Sequence, residues 1–284
     1  MTHRSTQQRR PSGHGNATHA TGTVIFDLDG VVYLGSTPIE GAGDTISALQ
    51  ERGLQVLFAT NNSMKTPESV CAVLKERAGA VVDPSSVITS SMAAASYLGE
   101  MSIETAFVVG APALATTITR GGISVVDHMT AQAVVVGLDR SLSDATIDKA
   151  SAAIREGALF VATNTDATYP TPDGESPGAG ATVAAVAKAA GAEFVACGKP
   201  NAPMARLVSR QIAGACVWMV GDRLETDIAF AKEAGWRSVL ALSGVTSGST
   251  DIPAELMPDH VIDSIIDLPR IVTDEHCQQG IMAP

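Results

Sequence analysis

Apolar runs of strand length alternate with segments of helical period along most of this chain. Strands are predicted at Thr23 to Phe26, Leu54 to Ala59, Ala106 to Val109, Ala133 to Gly137, Leu159 to Ala162, Glu193 to Ala196, Cys216 to Val220 and Ser238 to Ala241. Between them Ile147, Ala150 and Ile154 keep helical spacing, as do Met204, Leu207, Val208 and Ile212. Thr66 before Pro67 suits an N-cap and first helical position. Short uninterrupted apolar strands alternating with helices imply an α/β fold with a largely parallel sheet, buried on both faces.

Several predicted strands end in a polar cluster. Val24-Ile25-Phe26 runs into Asp27-Leu28-Asp29-Gly30-Val31, and residues i and i+2 of an extended segment point the same way, so two carboxylates face one small volume. Like charges that close raise one pKa and ask for a cation, a shared proton or both. Leu54 to Ala59 ends in Thr60-Asn61-Asn62-Ser63, whose hydroxyl and backbone N–H groups can hold a phosphate oxygen. The strand ending at Ala196 is followed by Gly198-Lys199-Pro200, and Cys216 to Val220 leads into Gly221-Asp222-Arg223-Leu224-Glu225-Thr226-Asp227. Taken singly, each cluster is more often a turn, a solvated loop lysine or a helix cap. Together they are a different matter, because a parallel sheet gathers the carboxyl ends of its strands into one crevice.

In order and in kind these clusters resemble the four motifs of the haloacid dehalogenase superfamily of phosphohydrolases. Adding Ala162-Thr163-Asn164-Thr165-Asp166 and Pro177-Gly178-Ala179-Gly180-Ala181, the chain looks like the NagD branch (HAD-IIA), with its 4-nitrophenyl, phosphoglycolate and pyridoxal phosphatases. The resemblance covers about residues 22 to 270. It implies a doubly wound, Rossmann-like parallel core formed by 21–88 and 197–275 and an inserted α/β cap of C2 type over 89–196; residues 1–20 lie outside it and by composition are expected to be a disordered tail.

The resemblance makes Asp27 the nucleophile that becomes an aspartyl phosphate, and Asp29 the acid that protonates the leaving oxygen and then the base that activates water. Thr60, the Asn61 backbone and Lys199 bind the nonbridging oxygens. Mg²⁺ is held by the Asp27 carboxylate, the Asp29 main-chain carbonyl and Asp222, with Asp227 supporting Lys199 or a metal water. Cap residues Thr163, Asn164, Asp166, Tyr169, Gly178 and Gly180 are the specificity candidates. In pyridoxal phosphatases of the branch the position of Tyr169 is typically His, which argues against that substrate. Gly178-Ala179-Gly180 lacks the third glycine of a dinucleotide loop and reads as a close-packed helix start.

Bulk properties narrow the partners. A formal net charge of −11 disfavours nonspecific nucleic-acid binding, and no apolar run reaches the length of a membrane span. The first twenty residues carry Arg4, Arg9 and Arg10 but not the apolar stretch of a secretory signal. Cys71, Cys197, Cys216 and Cys277 form no C-x-x-C pair, and a cytoplasmic chain with free thiols is expected. His128 and His260 sit at no metal-ligand spacing, so zinc is not expected.

The expectation is therefore a magnesium-dependent phosphomonoesterase acting on a small phosphorylated metabolite, with glycerol phosphate, phosphoglycolate, a nucleoside monophosphate or an aryl phosphate all open, and with a homodimer through the cap as a further expectation. The alternatives are a phosphomutase, a phospho-aspartate signalling receiver and a silent binding module. A carboxylate two residues after Asp27 speaks against the receiver, because it would speed a hydrolysis that a signal needs to delay.

Overall fold

A computed structural model describes residues 22–171 and 174–272. The tail over 1–20, Cys277 and the last residues assigned to the core lie outside the described residues. One sheet is six-stranded and parallel, in the order His260–Ile262, Arg237–Ala241, Cys216–Gly221, Gly22–Phe26, Gln55–Thr60, Val87–Thr89. The first strand in sequence thus lies at the centre, between Cys216–Gly221 and Gln55–Thr60. The chain winds outward from it in both directions, and that reversal makes a crevice at the strand carboxyl ends.

The side chains of Gly22–Phe26 are all buried because both faces of this sheet are covered. Val24 and Phe26 join a cluster with Ile46, Leu49, Leu74 and Trp218 on one side. Ile25, between them in sequence, points the other way and joins Leu57, Met219, Met204 and Phe230. Phe26 and Phe58 stack at 6.0 Å between ring centroids across the two central strands.

A second sheet is five-stranded and parallel, in the order Val195–Ala196, Leu159–Ala162, Ala133–Val136, Thr105–Val109, Ser124–Val125. Its strands fall between residues 105 and 196. One face carries helices Asp144–Arg155 and Ala179–Ala190 on Val134, Val136 and Phe160. On the other face Ala106, Val135 and Val161 belong to the same apolar cluster as Ile25 and Leu57 of the first sheet. Helix Ser90–Glu100 bridges the two, and its small residues Ala93, Ala94 and Ala95 let both sheets approach it. An antiparallel hairpin, Thr168–Thr171 with Gly174–Pro177, projects between Leu159–Ala162 and helix Ala179–Ala190.

Local chemistry agrees with the sequence reading at several points. Thr66 caps helix Pro67–Ala78 by accepting from the Ser69 N–H, with Pro67 at its first position. Gly178 and Gly180 open helix Ala179–Ala190 because nothing larger fits: an added Cβ would lie 2.2 Å from the Asp166 carbonyl oxygen at the first and 2.7 Å from that of Thr165 at the second. The predicted strand over 193–196 is shorter, Val195–Ala196, because only these residues pair with Leu159–Ala162 at the sheet edge. Ile212 falls beyond the end of helix Ala202–Ser209. The short outer strands Val87–Thr89 and His260–Ile262 had no apolar run long enough to announce them.

Candidate active site

The site lies at the carboxyl ends of the central strands. The Asp27 N–H donates to the Val220 carbonyl at 2.8 Å, carrying the strand ladder one residue past Phe26 and fixing the backbone of the first carboxylate. The chain then turns sharply, with Val32 N–H on the Leu28 carbonyl at 2.9 Å and Gly30 N–H on the Tyr33 carbonyl at 2.7 Å. Gly30 takes φ +87°, and a Cβ there would fall 2.2 Å from Asp222 Oδ2. Here glycine is needed both for the turn and for the close approach of Asp222.

Lys199 is the electrostatic centre. Its Nζ donates to Asp27 Oδ1 at 2.6 Å and to Asp227 Oδ1 at 2.7 Å, and its side chain is 2% exposed. Burial pulls the ammonium pKa down, but Asp227 and Asp27 together override it and hold the pKa above the usual lysine value. Asp227 lies in the π-helical turn Leu224–Ile228, which runs into helix Ala229–Ala234. Its second oxygen accepts from the Arg223 N–H at 3.1 Å, so both oxygens are engaged.

Asp222 is held differently. Oδ2 accepts from the Val245 N–H at 2.7 Å, while Oδ1 is buried with no hydrogen-bond partner. Burial first, then repulsion from Asp227, pushes its pKa up to about 7. Asp27 is pushed up to about 8, by burial above all and by Asp227 and Asp222, against the opposing pull of Lys199. Oxygens of Asp27, Asp222 and Asp227 lie within 4.8 Å of one another. An orphaned buried carboxylate oxygen beside a second carboxylate, in an all-oxygen donor set, fits a hard divalent cation. Because Asp227 is occupied by Lys199 and Arg223, the fit favours Asp27 and Asp222 as the carboxylate ligands.

Asn61 joins the pieces. Its Oδ1 accepts from the Lys199 N–H at 2.7 Å, and its Nδ2 donates to the Lys199 carbonyl at 3.1 Å and to Asp166 Oδ1 at 2.9 Å. Its carbonyl accepts from Ser90 Oγ at 2.6 Å and Asn164 Nδ2 at 2.7 Å. The end of strand Gln55–Thr60 is thereby tied to Lys199 and to the end of strand Leu159–Ala162. Gly198 has no side chain because a Cβ would meet Asn61 Oδ1 at 2.4 Å. Burial raises the Asp166 pKa, against the hydrogen bond from Asn61. Asp29 is likewise raised by burial, against the Gly35 N–H that it accepts at 2.9 Å.

These groups line a cavity of about 450 Å³. Asp27, Asp29, Thr60, Asn61, Lys199, Asp222 and Asp227 all border it, and Asn164, Asp166, Tyr169 and Gly178 border it from the side of the second sheet. Thr163 and Gly180 do not. Thr163 is fully buried and its hydroxyl accepts from Asn164 Nδ2 at 3.3 Å, while Gly180 packs behind on the Thr165 and Asp166 carbonyls. Lys65, Arg77, Arg140 and Arg223 also border the cavity and were missed. Arg140 donates to the Tyr169 hydroxyl and lies 5.3 Å from the centre of its ring, so Tyr169 is both packed and polar-partnered. Of the four, only Arg223 had a signal in the sequence, standing directly after Asp222.

A crevice at the switch point of a doubly wound sheet, with clustered carboxylates, a buried ammonium and a strand-end Thr-Asn, defines a hydrolase built for phosphoryl transfer. The comparisons agree: a haloacid dehalogenase-like hydrolase model matches residues 24–124 and a HAD-hydrolase-like model matches 196–268. The chain is 35% identical to an acid sugar phosphatase of Staphylococcus haemolyticus, over 78% of this chain and 86% of that protein. It is 36% identical to a dihydroxyacetone phosphatase of Corynebacterium glutamicum, over 86% and 89%. The solved structure of a glycerol phosphate phosphatase from Mycobacterium tuberculosis, in complex with magnesium, superposes with a TM-score of 0.80 at 32% identity, covering 88% of this chain and 77% of that one. The chain belongs to the haloacid dehalogenase-like hydrolase family, in its NagD-like branch, and is a phosphatase.

Proposed function

We propose that Asp27, Asp29, Thr60, Lys199 and Asp222 carry out magnesium-dependent hydrolysis of a small polyol or sugar phosphate monoester. The observation that carries this is the pairing of Lys199 with Asp27 and Asp227 beside an Asp222 oxygen that lacks a protein partner. Residues 89–196 act as the cap, because the strand ends of the second sheet reach the cavity through Asn164 and Asp166.

Asp27 attacks phosphorus, forming an acyl phosphate as the ester P–O bond breaks, and Asp29 gives its proton to the departing oxygen. Asp29 then takes a proton from water as that water attacks phosphorus and releases the Asp27 carboxylate. One residue must start ionised and the other protonated. Burial raises both carboxyl groups and at Asp27 outweighs Lys199, so the charge of a bound Mg²⁺ would have to join that of Lys199 to favour the Asp27 carboxylate, while burial favours the proton on Asp29. The Thr60 hydroxyl, the Asn61 backbone and Lys199 hold the nonbridging oxygens whose charge must be stabilised during transfer. Asp27, Asp222 and the Asp29 carbonyl would hold Mg²⁺, which would supply positive charge against the repulsion between Asp27 and a phosphate dianion.

The substrate class rests on a cavity of about 450 Å³ bordered by Lys65, Arg77, Arg140, Lys199 and Arg223, and on the substrates that the relatives are named for, dihydroxyacetone phosphate, glycerol phosphate and sugar phosphates. A homodimer through residues 89–196 is supported by exposed Val125 and Met129 near the edge of the second sheet; light scattering tests it. Cys71, Cys197 and Cys216 are unpaired, which supports a reducing cytoplasm. Among the described residues no helix is long and apolar enough to cross a membrane.

Phosphate release is to be screened across small phosphorylated metabolites with Mg²⁺ and with EDTA. Turnover of polyol phosphates that EDTA and Asp27→Asn each abolish is the expected result. Equal activity in EDTA contradicts the metal assignment.

A further inference from the structure

The hairpin Tyr33–Leu34 with Thr37–Pro38 stands beside Asp29, and Gly35 sits at its turn with φ +56°. That left-handed backbone is open to glycine, and the Gly35 N–H reaches Asp29 Oδ1 at 2.9 Å. Arg77, in the last turn of helix Pro67–Ala78, grips the hairpin at two points. Its guanidinium donates to the Gly35 carbonyl and lies 4.8 Å from the centre of the Tyr33 ring. The mechanism above gives Arg77 no task, although it borders the cavity.

We propose that Arg77 is a positioning residue for phosphoryl transfer, pinning Gly35 so that its N–H occupies Oδ1 of Asp29 and the exchangeable proton sits on Oδ2. An oxygen that accepts an N–H is a poor place for the acid proton, so the clamp decides which Asp29 oxygen meets the leaving group. The Oδ2–H bond breaks as the ester P–O bond breaks, and the leaving oxygen becomes a hydroxyl. Without the clamp the hairpin turn is free to rotate, and Asp29 loses its fixed orientation. The inference rests on Asp29 as the proton donor.

A series of ring-substituted phenyl phosphates tests it, since they share a shape but differ in leaving-oxygen basicity. Only steps up to leaving-group departure enter kcat/KM, so the later attack of water does not interfere. Positioned proton transfer contributes about 10²- to 10⁴-fold. Arg77→Ala is therefore expected to lose roughly 10- to 100-fold more kcat/KM on the most basic leaving group than on 4-nitrophenol, matching the steepened trend of Asp29→Asn. Arg77→Lys, which can reach Gly35 or Tyr33 but not both, falls between. Both variants should unfold at the wild-type temperature within a few degrees, and if Arg77→Ala does not, Arg77→Lys carries the test. A uniform loss across the series makes Arg77 a substrate-binding or merely structural residue and overturns the clamp, as does no loss. If Asp29→Asn shows no dependence on the leaving group, the acid assignment fails and the clamp fails with it. A failure of the Asp27 nucleophile assignment would show separately, as phosphate release by Asp27→Asn.

Discussion

Replacing Asp222 by Asn should stabilise the metal-free protein at alkaline pH and lose most of that advantage over wild type once Mg²⁺ is present. Asp222 is 1% exposed, one of its oxygens has no partner, and its pKa rises from 3.8 to about 7. The folded state therefore keeps a proton that the unfolded chain has released between about pH 4 and pH 7. With more protons bound folded than unfolded, stability falls as pH rises through that window, and the deficit is complete above about pH 7. Each pKa unit is worth about 1.4 kcal/mol. Between pH 5 and pH 8 the difference between variant and wild type should thus move by roughly 3 kcal/mol in favour of the variant. The unpartnered amide nitrogen that Asn introduces costs about 1–3 kcal/mol at both pH values and cancels from this comparison.

The assay is urea unfolding of both proteins in EDTA at pH 5 and pH 8, repeated at pH 8 with Mg²⁺. At 100 times its dissociation constant a ligand adds about 2.7 kcal/mol to the folded state, and the wild type should gain about this amount while the variant gains little. Parallel pH dependence in EDTA would refute the buried-charge argument. Equal stabilisation by Mg²⁺ would remove Asp222 from the ligand set.

Two further outcomes follow from the same geometry. Lys199→Met removes the ammonium shared by Asp27 and Asp227, leaving buried carboxylates uncompensated; urea unfolding at pH 8 should reveal a loss of about 3–5 kcal/mol, and phosphate-release assays a fall in kcat on the order of 10²- to 10³-fold. Gly244→Ala would place a Cβ 2.1 Å from Asp222 Oδ2 and 2.6 Å from its Cγ, so the carboxylate must move. Mg²⁺ titration of activity should show affinity weakened about 10- to 100-fold, whereas Gly248→Ala, whose Cβ meets only Leu242 Cδ1 at 3.7 Å, should leave it unchanged.

The central strands were legible because both faces of each are buried, which forces uninterrupted apolar runs, and because their polar carboxyl ends stand out against those runs. Gly22–Phe26 and Cys216–Gly221 are the clearest cases. Asp27, Asp222 and Lys199 were legible for the same reason, each following such a run. The Asn61 side-chain network was not, since its bonds to Asp166 and Lys199 span 105 and 138 residues and follow no local period. Lys65, Arg77 and Arg140 were missed because an isolated basic residue in a loop or a last helical turn reads as solvated surface until the fold brings it to the cavity. Thr163 shows the converse: it sits in a polar cluster at a strand end, yet points into the interior rather than into the cavity.

The most direct test of the mechanism is to stop the reaction with acid during the first turnover of a phosphate-labelled substrate, digest the protein and locate the label. Label on the peptide that contains Asp27, absent from Asp27→Asn, is the expected result. Label on another residue, or turnover without any labelled peptide under conditions that preserve acyl phosphates, would contradict the assignment of Asp27 as the nucleophile.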